Sequence, residues 1–384
     1  MPSRRLTWTA YLFMVCEGYL IYAIGFITPY LHAELGAPTG LAALPTSVMA
    51  AGLIVSGLVA RRVLARLGSQ ATARMWAALM ALSAVLLAIP VTMVPILAGS
   101  FLYGIAAAGL MVHVNSGLSR NGGGVYIVRA NLWSVAGGVA GPLALSVAAR
   151  TVGWSLGSLL PVPLLLVLML VLPGSPASDT LLDDRREPPL GRPFWLTWVF
   201  LVLCIGAEFS FVAWGSQVAT ARTGISVDDA TAMASLYVIG MVIGRLVLSA
   251  GLLPVTRTRQ LLLASAALGA MGAAVLWLAA TPALSAAGLF LGGLGVAAIY
   301  PFGVTLAIAQ APLAPVKASA WLTVASGVAI MVVPLVLGVV AGATTVVGAW
   351  TMVLGLLVAG LIVLLLTPRP AVDVPVAEVA VVPG

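Results

Sequence analysis

The sequence predicts an all-α integral membrane protein of twelve transmembrane helices, arranged as two six-helix pseudo-symmetric bundles around a central cavity. Three observations predict it. Only 8% of the 384 residues are charged and 61% are hydrophobic, against about 25% charged in an ordinary soluble domain, so most of the surface cannot face water. Apolar runs of about 20 residues recur almost end to end, the helical length that crosses about 30 Å of hydrocarbon. The second half also repeats the first at an offset of about 188 residues. A β-barrel would need alternating segments of about ten residues, and these runs of Ala, Leu, Val and Gly do not alternate.

In the first half the spans are 6–30, 39–60, 73–91, 95–116, 126–149 and 154–172. In the second they are 194–219, 230–252, 261–280, 284–309, 318–341 and 343–366, the last two separated by a turn at Gly342. The basic start is followed by a run too long for a signal-peptide core and carrying Glu17, so it reads as an uncleaved first helix. Residues 1–173 form an N-terminal bundle, 174–193 a cytoplasmic linker, 194–367 a C-terminal bundle and 368–384 a disordered tail. The linker cannot span, because it holds Asp179, Asp183, Asp184, Arg185, Arg186, Glu187, Arg192 and the prolines Pro176, Pro188, Pro189 and Pro193.

Charge sets the orientation. With the amino terminus inside, all of the 18 Lys and Arg residues except Arg150 and Arg222 fall on inner connections. That asymmetry predicts both termini in the cytoplasm of a bacterial inner membrane. The net charge of +7 belongs to these connections, with no basic cluster interleaved with aromatics, so no nucleic-acid partner is expected. Cys16 and Cys204 lie within apolar runs, where a thiol is a small buried hydrophobe, and support neither a disulfide framework nor a metal site.

The repeat is legible in particular residues. Pro29 and Gly57 are spaced like Ser216 and Gly244; Phe101, Leu102 and Gly104 like Phe290, Leu291 and Gly293; and Arg129, Ala130 and Trp133 like Lys317, Ala318 and Trp321.

Six plus six spans, a charged central linker and basic inner loops together resemble the major facilitator superfamily over nearly the whole chain. Gly57, Arg61, Arg62, Arg66 and Gly68 are similar to its loop motif between the second and third helices, but the motif's Asp is missing. Gly244 and Arg245 are similar to the second-half copy, again with no acid beside them in sequence. Gly137, Gly141 and Pro142 resemble the core of the helix-5 motif of drug and proton antiporters, with Val128, Leu145 and Ser146 departing from its flanking glycines. Small residues let helices approach closely and a proline frees a carbonyl, so this segment suits a close, bendable contact.

Two acids stand inside spans. Glu17 is about 15 Å into the first, near the midplane, where an ionised side chain costs at least about 2.5 to 3.5 kcal/mol. Burial disfavours its charged form and an aqueous route restores it, so it is the first candidate for proton coupling. Glu208, in the seventh span, is offset by nearly a turn from the repeat of Glu17 and is a second candidate, for a proton or a cationic substrate with Trp214 as a π-face. His113, in the fourth span, is a possible relay.

Tyr19, Tyr22, Asn131, Trp133, Tyr237, Tyr300 and Trp321 lie on spans that the resemblance places around a cavity, which makes them, with Trp214, candidate substrate contacts. Each is also an ordinary packing or interface residue by type.

The expectation is a proton-driven exporter of drug-like or amphipathic compounds, with uptake of a nutrient by symport as the alternative and a non-transporting membrane sensor as the reading from another class. The partners are a small-molecule substrate, protons and lipid, with a monomer implied by the resemblance. No cofactor, metal or catalytic residue is expected: the sequence has no nucleotide-binding glycine loop and no HExxH.

Overall fold

The computed structural model describes residues 4–122, 124–171, 188–249, 258–311 and 314–368. Among them the chain is helical almost throughout and has no strand. In order the helices are α1 (Arg4–Phe26), α2 (Thr28–Leu35), α3 (Thr39–Ala42), α4 (Leu44–Leu87), α5 (Met93–Gly122), α6 (Gly124–Thr151), a 3-10 turn at Trp154–Leu159 and α7 (Val162–Val171). They continue with α8 (Arg192–Thr223), α9 (Val227–Ser249), α10 (Thr258–Leu278), α11 (Pro282–Val296), α12 (Ile299–Ala309), α13 (Pro315–Ala343), α14 (Val346–Ala349) and α15 (Thr351–Leu366). Two compact units divide them: α1, α2 and α4 to α7 build one, and α8 to α15 build the other, with Ala37–Ala43 grouped with the second.

Ten described helices are long and apolar enough to cross a membrane, and Leu44–Ser56 and Trp154–Leu168 add two shorter apolar ones. Each coincides with one of the twelve spans read from the sequence. Four details differ. The helical backbone of α4 runs through the expected loop between the second and third spans, carrying Gly57, Arg61, Arg62 and Gly68 within it. It is not straight: Gly52 lies against Gly104 of α5, and Ser83 against Gly99. About 31 residues of straight helix would separate Gly52 and Ser83 by roughly 46 Å. Both instead meet neighbouring turns of α5, so the two arms fold back on each other.

The second difference is the last join. Helix α13 continues through Gly342 to Ala343, and the chain turns at Thr344 and Thr345, where the Thr345 hydroxyl accepts the Gly348 N–H at 2.9 Å and caps the next helix. Third, Arg192 and Pro193 belong to the first turn of α8, where a proline is well placed, rather than to the linker. The linker before residue 188 and the tail after residue 368 lie outside the described residues. Fourth, the tenth span is interrupted at Ala297 and Ala298, because Pro301 has no N–H to give the Ala297 carbonyl.

The repeat has a physical basis inside each unit. Gly52 packs on the Phe101 carbonyl and Gly104 on the Met49 carbonyl where α4 crosses α5. In the second unit Gly240 packs on the Phe290 carbonyl and Gly293 on the Tyr237 carbonyl where α9 crosses α11. Backbone meets backbone at both crossings, a contact only glycine permits.

Candidate functional site

In the first unit the site begins with how α1 meets α6. Gly18 lies against the Ser134 carbonyl, Gly137 against that of Val15, and Gly141 against that of Tyr19. The two glycines of the helix-5 motif thus close α6 onto the helix that carries the acid. Pro142 follows inside α6, where its missing N–H leaves the Gly138 carbonyl without a helical donor.

That close approach delivers Ser134 to Glu17. The acid is only 6% exposed, and the Ser134 hydroxyl donates to its Oε2 at 2.6 Å. A third helix, α5, supplies Tyr103, which is fully buried; its hydroxyl lies 2.8 Å from the Glu17 carbonyl oxygen and 3.3 Å from Oε1. Both carboxyl oxygens therefore face hydroxyls. A hydroxyl can donate or accept, so the same neighbours can serve a carboxylate, which only accepts, and a carboxylic acid, which also donates.

Other candidates of the first unit take different places. The Tyr19 hydroxyl donates to the Gly157 carbonyl at 2.5 Å, and the Tyr22 ring packs on Gly138, so both tyrosines are buried packing groups. Trp133 is 41% exposed; it stacks on Tyr11, with centroids 6.3 Å apart, and meets Trp8 edge-on. Asn131, next to it on α6, is half-buried. The side chains of His113, Gly57, Arg61, Arg62 and Gly68 lie outside the described residues.

The second unit repeats the aromatic group. Trp195 and Trp198 stand one turn apart on α8, as Trp8 and Tyr11 do on α1. Trp321, 39% exposed, meets Trp195 edge-on at 5.1 Å, and the Trp198 indole donates to the Trp321 carbonyl at 2.7 Å. Reading the offset through Trp8 and Tyr11 as well as Trp133 would have found these partners in the sequence.

The acid is not repeated. Gly206 holds the place of Gly18, but Glu17 precedes its glycine by one residue and Glu208 follows by two, so Glu208 stands three residues, nearly one turn, further along its helix than the repeat of Glu17. Glu208 is 8% exposed, and the Tyr237 hydroxyl donates to its backbone carbonyl at 3.2 Å. Tyr237 is itself core, stacked on Phe211 at 5.1 Å. Trp214 is fully buried with its indole on the Pro334 carbonyl at 3.0 Å, so its faces are packed and it does not serve as the expected cation platform.

Near Glu208 stands a group that the sequence did not connect with it. Arg245, on α9, lies within electrostatic reach of Glu208, and so does Tyr300, on α12. An acid absent beside Arg245 in sequence thus stands within range of its charge on a neighbouring helix. No spacing within one helix could have shown it.

No family model matches the chain, and no curated protein matches it. Among solved structures it is similar to a mutant form of the nucleoside transporter NupG, at 14% identity over 95% of this chain and 99% of that one, with a TM-score of 0.76. Another NupG structure gives 14% identity over 94% and 98%, with a TM-score of 0.72. A mutant form of the peptide transporter POT gives 15% identity over 96% of each chain, with a TM-score of 0.75. The chain shares the fold of these solved structures. Within that fold the two aromatic groups and the paired glycine crossings are the repeat carried into three dimensions. At this identity the likeness establishes the architecture and leaves the solute to the chemistry of the site.

Proposed function

We propose that the chain is a secondary transporter that moves a small organic solute with protons, and that Glu17 is the group that takes up and releases the proton. The observation that carries this reading is the buried Glu17 carboxyl between the hydroxyls of Ser134 and Tyr103. An ionised carboxyl at that depth is costly, and hydroxyl neighbours can serve both its charged and its neutral form. Solutes move with the proton rather than against it: the similar solved structures named above are a nucleoside transporter and a peptide transporter, which favours a nutrient-like solute. The protein works as a monomer, as the resemblance implies, in a bacterial inner membrane, with both termini in the cytoplasm as the Lys and Arg asymmetry favours.

Export is the second reading, favoured by the antiporter-like glycines of α6 packing on the helix of Glu17. Purified protein in liposomes with a trapped pH dye separates the two. A solute entering with protons supports symport, and one leaving as protons enter supports export. Proton movement that persists in Glu17→Gln at the wild-type rate would overturn the assignment of the acid.

A further inference from the structure

A positively charged side chain in the second unit is not absorbed by the proton-coupling reading. Gly244 brings α9 tight against Leu294 and Ala297, so this part of α9 meets the tenth span where Pro301 interrupts it. The next residue is Arg245. It is half-buried, and its Nε is shielded with no hydrogen-bond acceptor among the described residues. A guanidinium has five donors in a planar fork that matches two oxygens of one carboxylate, and a shielded donor left unmatched is unfavourable.

The surroundings limit what would complete it. Glu208 lies within reach of its charge, so the pair is close to neutral and a doubly charged anion would meet the Glu208 carboxylate. Tyr300 is also near, with Ser326 in hydrogen-bonding reach of its hydroxyl, so the group offers further polar atoms. One cation, one nearby acid and two hydroxyls suit an organic anion with a single charge better than a phosphate ester.

We propose that Arg245 anchors the carboxylate of a monocarboxylate solute, with Tyr300 and Ser326 beside it and Glu208 as a nearby acid that competes with the solute for the guanidinium's charge. This rests on reading the chain as a solute carrier. The test uses the full chain purified in detergent, its thermal unfolding followed by tryptophan fluorescence, titrated with acetate, L-lactate, benzoate and phenylacetate and with the primary amide of each at constant ionic strength.

At least one carboxylate should stabilise the protein where its amide does not. Arg245→Gln should weaken that binding by about tenfold or more, the loss expected for hydrogen bonds to a charged group. Arg245→Lys should recover part of it, which separates lost recognition from lost folding. Glu208→Gln should bind the carboxylate at least as tightly as the wild type, since the competing anion is gone. Equal responses to acid and amide throughout the panel, or a carboxylate response that survives Arg245→Gln, would overturn the anchor. Loss of the anchor with Glu17-dependent proton movement intact leaves the carrier reading standing. Arg245-dependent carboxylate binding in a protein that moves none of these solutes counts against the carrier reading instead.

Discussion

Ser134 touches the first helix twice: its hydroxyl donates to Oε2 of Glu17 at 2.6 Å, and its backbone carbonyl lies against Gly18, the next residue. The hydrogen bond and the helix crossing are therefore one arrangement, and neither can be altered without the other feeling it.

That linkage gives the first prediction. A hydrogen bond to an ionisable group contributes about 1.5 to 3 kcal/mol, so Ser134→Ala should lower thermal stability by an amount of that order. In a Glu17→Gln background the same substitution should cost less. A double-mutant cycle by fluorescence-detected unfolding measures the difference, and additive effects would argue that the pair does not interact.

The glycine crossings give the second. A methyl group at Gly104 would meet the Met49 carbonyl, and one at Gly293 the Tyr237 carbonyl, whereas nothing lies within 4 Å of the same position at Gly355. Gly104→Ala and Gly293→Ala should each destabilise by about 1 to 3 kcal/mol. Gly355→Ala should be neutral or stabilising by up to about 1 kcal/mol, because alanine loses less freedom in a helix. Unfolding midpoints of the three variants in one detergent decide it.

Trp214 supplies the third. With its indole on the Pro334 carbonyl and its ring enclosed, Trp214→Phe should cost about 0.5 to 1.5 kcal/mol of stability for the lost hydrogen bond. It should not change the preference between cationic and neutral solutes in a liposome flux assay. A selective loss of cation transport would restore the aromatic-platform role.

The fourth concerns Arg259 at the start of α10. Its guanidinium donates to the Leu364 carbonyl at 3.0 Å and to that of Leu365 at 2.7 Å, among the last of α15, where Leu364 also accepts the Thr367 N–H at 3.2 Å. A cation at a helix C-terminus adds a favourable dipole contact of about 0.3 to 1 kcal/mol. Arg259→Ala should therefore expose the end of α15 to protease faster than Arg259→Lys does, seen as earlier loss of the intact band.

The twelve spans were legible because lipid demands long apolar helices, and the offset was legible because glycines fixed by a crossing recur with it. The bend inside α4 was not, since a basic stretch such as Arg61 to Arg66 reads the same as loop or helix. The turn at Thr344 and Thr345 was misplaced at Gly342 because glycine is the stronger turn signal, yet two threonines with a capping hydroxyl ended the helix. At the site, Glu17 announced itself as a charge among apolar residues. Ser134 and Tyr103 did not, because a hydroxyl in an apolar run is unremarkable until another helix brings an acid to it. The nearness of Glu208 to Arg245 joins residues of two helices, and one sequence holds no record of which helices touch.

The seam between Gly18, Gly137 and Gly141 has a mechanical meaning. Surfaces that slide do so by swapping one set of interlocked side chains for another, and a joint of bare main chain has none to exchange. The first and fifth spans are in effect welded where the acid sits. Whatever strokes the protein makes, these two must travel as a single strut.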